Sequence, residues 1–90
     1  MYIMTNSHHT VLYVGVSANL IARVQEHKQK THPKSFTAKY NCDKLVYHNS
    51  FSTIEEAIAE EKRIKAGSRQ KKIDLINQMN PAWKDLTDEL

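Results

Sequence analysis

A phenol, a permanent cation and an imidazole lie within one short stretch of this sequence. Tyr13-Val14-Gly15 ends an apolar, β-prone segment, and a helix-like pattern carrying Arg23 and His27 follows it. Residues four apart on a helix are offset by about 40° and roughly 6 Å along the axis, so Arg23 and His27 can act on one small group. The planar, permanently charged arginine suits a phosphate, and histidine can exchange a proton near neutral pH. Taken alone, each residue is better explained as part of a solvated helix edge, so the spacing carries the prediction.

A carboxylate that would complete such a site is predicted at Glu61. It falls within an apolar stripe at helical spacing, formed by Ile54, Ala57, Ile58 and Ile64. A carboxylate on a buried stripe needs either a partner or a function. Lys65, four residues further on, offers the alternative of an exposed ion pair. Helical periodicity alone does not distinguish a functional carboxylate at Glu61 from an ion pair with Lys65.

Length and composition limit the class of protein. Ninety residues correspond to one domain, 1–90, with no room for a second core. The single Cys42 cannot form an internal disulfide, which favours a reducing compartment, the cytoplasm. No apolar run approaches the ~20 residues that cross a bilayer, so we expect no membrane contact.

Basic residues are concentrated in positions 62–72, which contain no acidic residue. They are Lys62, Arg63, Lys65, Arg69, Lys71 and Lys72. Such a concentration indicates a polyanionic partner. On charge alone a solvated helical face is the better explanation, because a net charge of +3 is modest for a nucleic-acid-binding domain.

The elements that must position these residues follow from periodicity and caps. In chain order we predict strands over 2–5 and 10–16, a helix from about 20 to 30, a polar connection over 35–43 with a short helical turn, a strand over 44–51, and helices over 54–66 and 69–79. Three strands need a helical layer on at least one face, so the class is α+β, in the order β-β-α-β-α-α.

Caps and core positions refine these helices. The first is expected to begin within Ser17 to Asn19 and to bury Leu20, Ile21 and Val24. The second has overlapping capping boxes at Ser52 and Thr53 and a stop at Gly67, and the third begins after Ser68.

A family resemblance rests on residues spread along the whole chain. Taken in order, Tyr2, Tyr13-Val14-Gly15, Arg23, His27, Glu61 and Asn80 resemble the GIY-YIG nuclease domain, and in particular its small stand-alone bacterial members. Val14 stands where the family usually has isoleucine. The first motif is truncated: Tyr2 matches its tyrosine, Met1 takes the isoleucine position, and no residue fills the glycine position.

The resemblance implies a fold and a set of roles. The sheet would be three-stranded, antiparallel and flanked by helices. Glu61 would hold one Mg²⁺ or Mn²⁺, Arg23 would bind the scissile phosphate, and Tyr2 or Tyr13 would orient or deprotonate the attacking water. Asn80 would support the site by hydrogen bonding. A phenol with a pKa near 10 is a poor base at neutral pH unless cationic neighbours lower its pKa, and Arg23, His27 and the metal could supply that shift.

The function implied is a metal-dependent endonuclease acting on DNA, either structure-selective or weakly sequence-specific. Branched and nicked DNA are both open as substrates, and RNA is not excluded. Since no separate DNA-binding domain accompanies the motifs, specificity would come from the basic residues of 62–72 or from a partner protein. The alternative is a catalytically inactive nucleic-acid-binding module on the same fold, and a third interpretation is a protein-interaction module using the Trp83 tail.

Overall fold

A three-stranded antiparallel sheet in the order β2-β1-β3 forms the centre of the fold, in a computed structural model that describes residues 1–90. The elements are β1 (Tyr2–Thr5), β2 (Leu12–Gly15), α1 (Leu20–Gln29), α2 (Phe36–Lys39), β3 (Lys44–His48), α3 (Ile54–Ala66), α4 (Arg69–Met79) and a 3₁₀ helix (Leu86–Glu89). The predicted α+β class, the antiparallel sheet and the order of the main elements are confirmed. None of the helices is both long and apolar enough to cross a membrane.

Side-chain caps start the helices at the predicted places. Asn19 accepts a hydrogen bond from the amide of Ala22 at the start of α1, and Thr53 accepts one from Glu56 at the start of α3. These side chains satisfy amides that have no partner within the helix. Ser68 does the same for α4, directly after Gly67 ends α3.

The register of β1 and β2 places Tyr2 and Tyr13 on one face of the sheet. Tyr2 lies opposite Gly15, and Met4 lies opposite Tyr13. Because side chains alternate between faces along a strand, these residues all point the same way. This face packs against α1 and the C-terminal 3₁₀ helix, in a cluster made by Tyr2, Met4, Val24, Cys42, Leu45 and Leu86.

The opposite face of the sheet packs against α3 and α4. Its buried residues include Ile3 and Val46 from the strands, Ile64 from α3 and Ile76 from α4. The sheet therefore separates α1 from the helix that carries Glu61.

Three predictions about the elements are wrong. Ile54, assigned to the buried stripe that contains Glu61, is 44% exposed because it is the first residue of α3 and lies at the helix end. The third strand ends at His48 rather than Phe51. Ile21 is 57% exposed instead of buried, because α1 turns Val24 and His27 toward the core. At 3.6 residues per turn, residue 21 lies about 60° from Val24 and about 120° from His27 around the helix axis, so it falls at the edge of the face centred on those two residues. The imidazole of His27 is buried in place of the Ile21 side chain.

Candidate active site

The ring of Tyr2 lies across Gly15 on the neighbouring strand. A Cβ atom on Gly15 would come within 2.6 Å of both Cζ and the hydroxyl oxygen of Tyr2, and within 3.0 Å of Cε1 of Tyr13. A methyl group at that distance would clash with the ring. The glycine of the Tyr13-Val14-Gly15 motif is therefore required for space, because it allows the Tyr2 hydroxyl to pass over β2.

A buried chain of hydrogen bonds continues from this hydroxyl. The Tyr2 hydroxyl oxygen lies 2.9 Å from Nε2 of His27, and Nδ1 of His27 lies 2.7 Å from Oγ1 of Thr37. Thr37 in turn lies 3.2 Å from Oγ of Ser35, the N-cap of α2. The exposed fractions of Tyr2, His27 and Thr37 are 1%, 8% and 3%, so the chain is shielded from water. The imidazole is held at both nitrogens, which fixes the orientation of its ring.

The protonation of this chain follows from its burial. Burial raises the pKa of Tyr2 to about 12, and the opposing effect of Arg23 is smaller. Arg23 thus acts on the Tyr2 pKa in the expected direction, but burial has the larger effect and the pKa of this phenol is raised. Burial and then Arg23 also lower the pKa of His27, which keeps its imidazole neutral. A neutral His27 with its proton on Nδ1 can donate to Thr37 while Nε2 accepts from the Tyr2 hydroxyl.

An open groove lies beside the chain of hydrogen bonds. It has a volume of about 260 Å³ and is lined by Tyr13, Arg23, Glu26, His27, His32, Ser35, Phe36 and Thr37. Nη1 of Arg23 donates to the Glu26 carboxylate at 3.1 Å. Since a guanidinium has five N–H donors, Arg23 keeps donors for an anion in the groove. The predicted trio of Tyr13, Arg23 and His27 is brought together here.

Glu61 lies on α3 and is not among the residues that line this groove. Its carboxylate is largely buried and pairs with Nζ of Lys65 at 2.6 Å, and the side chains of Glu61 and Lys65 are 12% and 52% exposed. Nζ of Lys65 also lies 6.0 Å from the centre of the Tyr13 ring. The ion pair with Lys65 predicted as the alternative for Glu61 is therefore present, and the ammonium of that pair lies next to Tyr13.

The donor set around Glu61 fits one particular kind of metal ion. No group of three or more His, Cys, Asp or Glu side chains is placed to hold a metal, so the protein offers one carboxylate rather than a cage. Mg²⁺ often binds in this way, through one or two carboxylates, several waters and the oxygens of a substrate phosphate. A metal ion would have to replace the Lys65 ammonium, which is paired with this carboxylate at 2.6 Å. The residues therefore fit a hard divalent ion that completes its coordination with water and substrate.

Asn80 makes its hydrogen bonds outside this cluster. Its Nδ2 donates to the carbonyls of Val46, at 3.2 Å, and Lys84, at 2.8 Å. Its Oδ1 accepts from the amide of Lys84 at 3.0 Å. These contacts fasten the turn after α4 to strand β3, so Asn80 supports the fold and makes no hydrogen bond to the tyrosines, Arg23, His27 or Glu61.

The six basic residues of 62–72 do not share one surface. Only Lys65 and Lys72 line the groove at the edge of β2, next to Tyr13. Arg63 pairs with Glu60, and Lys71 lies with Arg63 in a separate groove that also contains Asp74. Arg69 donates to the carbonyl of His9 at 3.3 Å, and Lys62 is exposed on α3. Two of the six therefore border the candidate site.

Two residues of the site were missed in the polar connection over 35–43. Thr37 holds His27, and Phe36 stacks on Tyr13 with ring centres 5.9 Å apart and planes inclined by 29°. Ser35 caps α2 by accepting from the amide of Ala38. Serine is a preferred N-cap residue, so Ser35 was a sequence signal for the short helix α2. This helix carries both Phe36 and Thr37.

Comparisons with known proteins agree with this geometry. The sequence pattern described as the GIY-YIG catalytic domain matches residues 1–74. The chain is 36% identical over 67 residues to proteins named UPF0213 protein from Staphylococcus aureus strains Mu3, Mu50 and MW2, and the match covers 74% of this chain and 80% of each relative. No solved structure shows a significant match. The chain therefore belongs to the GIY-YIG family, whose catalytic domain is that of a nuclease.

Proposed function

We propose that this protein is a metal-dependent endonuclease that hydrolyses phosphodiester bonds in DNA. The observation that carries the proposal is the buried hydrogen bond between the Tyr2 hydroxyl and His27, at 2.9 Å, beside a groove that also presents Arg23 and Tyr13. A phenol, a neutral imidazole and a guanidinium in one groove match the needs of phosphodiester hydrolysis: an oriented water, a proton acceptor and a cation for the phosphate.

Arg23 is the residue that we assign to the phosphate. Its fork of N–H donors suits phosphate oxygens, and its charge would offset the charge that develops in the transition state. The groove of about 260 Å³ is smaller than the ~300–1,000 Å³ typical of small-molecule sites. That size favours one phosphate group over a whole nucleotide cofactor.

We assign different roles to the two tyrosines. Tyr13 is partly exposed in the groove and is placed to orient the attacking water. Tyr2 is 1% exposed, and its pKa of about 12 makes it a poor base. We therefore assign Tyr2 the role of a positioning residue, because its hydroxyl lies 2.9 Å from Nε2 of His27 and holds the imidazole that lines the groove.

Glu61 is the residue that would hold the single Mg²⁺ or Mn²⁺, and such an ion would stabilise the leaving 3′ oxygen. Lys65 and Lys72 border the site, and their contacts would be to the phosphate backbone, which carries no sequence information. We therefore expect cleavage with weak sequence specificity.

The decisive experiment compares two adjacent glutamates. Glu61→Gln removes the buried carboxylate, whereas Glu60→Gln makes the same change in charge at a residue that pairs with the exposed Arg63. With Mg²⁺ or Mn²⁺, we expect the wild type and Glu60→Gln to nick supercoiled plasmid and Glu61→Gln to fall to background. Far-ultraviolet circular dichroism checks that each variant is folded. Equal nicking by the wild type and Glu61→Gln would contradict the proposal.

A second candidate function is a nucleic-acid-binding module that does not cleave. The observation that favours it is the 2.6 Å pair between Glu61 and Lys65, which neutralises the carboxylate needed for a metal. DNA binding without nicking in Mg²⁺, Mn²⁺, Co²⁺ or Ca²⁺ would establish this function in place of the first.

A further inference from the structure

A strip of three aromatic rings runs from the candidate site to the surface. Phe36 stacks on Tyr13 with ring centres 5.9 Å apart, and Tyr40 packs against Phe36 with ring centres 4.7 Å apart. Phe36 and Tyr40 lie four residues apart, at the start and the C-cap of α2, and are therefore on the same side of this short helix. Tyr13 belongs to the groove of the candidate site, so the strip begins where the proposed chemistry takes place.

The outer two rings are unusually exposed for aromatic side chains. Phe36 is 47% exposed and Tyr40 is 41% exposed. Large apolar side chains are mostly buried, and a contiguous exposed group of them marks a binding surface. The fold itself does not need these ring faces, because Phe36 and Tyr40 belong to neither of the two buried core clusters.

Cations flank the strip on both sides. Nζ of Lys39 lies 5.4 Å from the centre of the Tyr40 ring, and Nζ of Lys65 lies 6.0 Å from the centre of the Tyr13 ring. The groove between Tyr13 and Phe36 is also lined by Lys72 and contains no acidic side chain. Aromatic faces for bases with lysines for the phosphates are the combination by which proteins bind single-stranded nucleic acid.

We propose that Tyr13, Phe36 and Tyr40 form a stacking surface for the unpaired bases of a single-stranded DNA segment that leads into the active site. The inference rests on the proposed nuclease function and narrows its substrate to DNA with an unpaired stretch, such as a flap or a branch. Bases would stack on the exposed faces of Phe36 and Tyr40, and the adjoining phosphates would lie near Lys39 and Lys72. A base pair in an intact duplex cannot present a face in this way, so the surface distinguishes unpaired from paired DNA.

The test measures binding without cleavage. A fluorescein-labelled oligothymidine and a duplex of the same length are titrated in EDTA with the wild type and with Phe36→Leu, which keeps an apolar side chain but removes the π face. We expect the wild type to prefer the single strand and Phe36→Leu to weaken that binding by about five-fold or more, the range expected for loss of one base stack. Binding to the duplex should be unchanged.

Two further variants make the result specific to stacking. Phe36→Trp keeps an aromatic face and should restore single-strand binding. Met79→Ala shortens another exposed apolar residue, 47% exposed, on α4 and should leave it unaltered. Wild-type binding to the single strand no tighter than to the duplex, or wild-type affinity in Phe36→Leu, would overturn the proposal, as would self-association in sedimentation that Phe36→Leu abolishes. Because no metal is present, such a failure is distinct from a failure of plasmid nicking.

Discussion

The two halves of the candidate site are built on different physical principles. On the α1 side, Tyr2, His27 and Thr37 are almost completely buried and joined by hydrogen bonds at 2.9 and 2.7 Å. On the α3 side, a buried carboxylate is held by one flexible lysine whose side chain is 52% exposed. The first half is fixed by packing and the second by a single ion pair.

The difference separates the parts of the site that must be rigid from the part that must change. A proton acceptor such as His27 and a phosphate-binding cation such as Arg23 work best when they are preorganised, since no reorganisation is then required during the reaction. A carboxylate that receives a metal ion must exchange partners, and a lysine that reaches it from solvent can leave it at little cost. We expect mutations on the α1 side to cost stability and those on the α3 side to alter metal dependence.

The largest effect on stability is expected at His27. His27→Ala removes a buried ring and leaves the Tyr2 hydroxyl and Thr37 without their partner, which should lower the free energy of unfolding by about 2–4 kcal/mol. The control is His32→Ala, because the His32 side chain is 64% exposed and should matter by less than about 0.5 kcal/mol. Urea denaturation followed by circular dichroism measures both. If the two variants were equally stable, the α1 side of the site would not be held by the buried hydrogen bonds of His27.

Substitution of Gly15 should lower the free energy of unfolding somewhat less than His27→Ala, because it disturbs the same packing of Tyr2 against His27. Gly15→Ala places a Cβ atom 2.6 Å from the Tyr2 ring and should destabilise the protein by about 1–3 kcal/mol through overpacking. It should also reduce nicking, because the Tyr2 hydroxyl is displaced from His27.

Gly67→Ala is the matched control for this steric argument. A Cβ atom there would meet the flexible Lys71 side chain at 3.3 Å, and its φ of −80° suits any residue. Thermal unfolding should leave this variant within about 1 kcal/mol of the wild type. A similar loss of stability in both glycine variants would show that Tyr2 does not depend on the space above Gly15.

The smallest effect on stability is expected at Lys65. Lys65→Met removes the partner of a largely buried carboxylate, but the cationic end of the pair is exposed to solvent, so we expect the free energy of unfolding to fall by about 1 kcal/mol. The metal should bind Glu61 more readily once the competing ammonium is gone, so half-maximal nicking should need less Mg²⁺. Lys62→Met, an exposed lysine on the same helix, should leave the Mg²⁺ requirement unchanged. An unchanged requirement in Lys65→Met would mean that Lys65 does not compete for Glu61.

Much of the frame follows from local sequence signals, because caps and β-prone segments act over a few residues. Asn19, Thr53 and Ser68 are caps at predicted positions, and the burial of Glu61 within its stripe is confirmed. The position of Ile21 was mispredicted, because helical periodicity gives the width of an apolar face but does not show that an imidazole will occupy its centre. The burial of His27 depends on Tyr2 and Thr37, which are distant in sequence and come together only in the folded chain.

The surface of the site was less predictable than its frame. Six basic residues that are neighbours in sequence diverge onto different faces, because α3 and α4 are separated by the break at Gly67 and Ser68. Conversely, Phe36 and Tyr13 are far apart in sequence and stack in the fold. Which charges and rings share a surface depends on how helices are docked, and one sequence does not encode that in a local pattern.

The buried thiol of Cys42 can report how often the packed cluster around Tyr2 opens to solvent. The thiol is completely inaccessible and belongs to the same packed cluster as Tyr2, and burial raises its pKa to about 11. Alkylating reagents attack the thiolate, so the folded chain resists them and reacts only when this cluster opens. Cys42 is the only cysteine in the sequence, so every adduct records one such opening. With alkylation slower than reclosing, the rate of alkylation thus measures the free energy needed to open the Tyr2 side of the site.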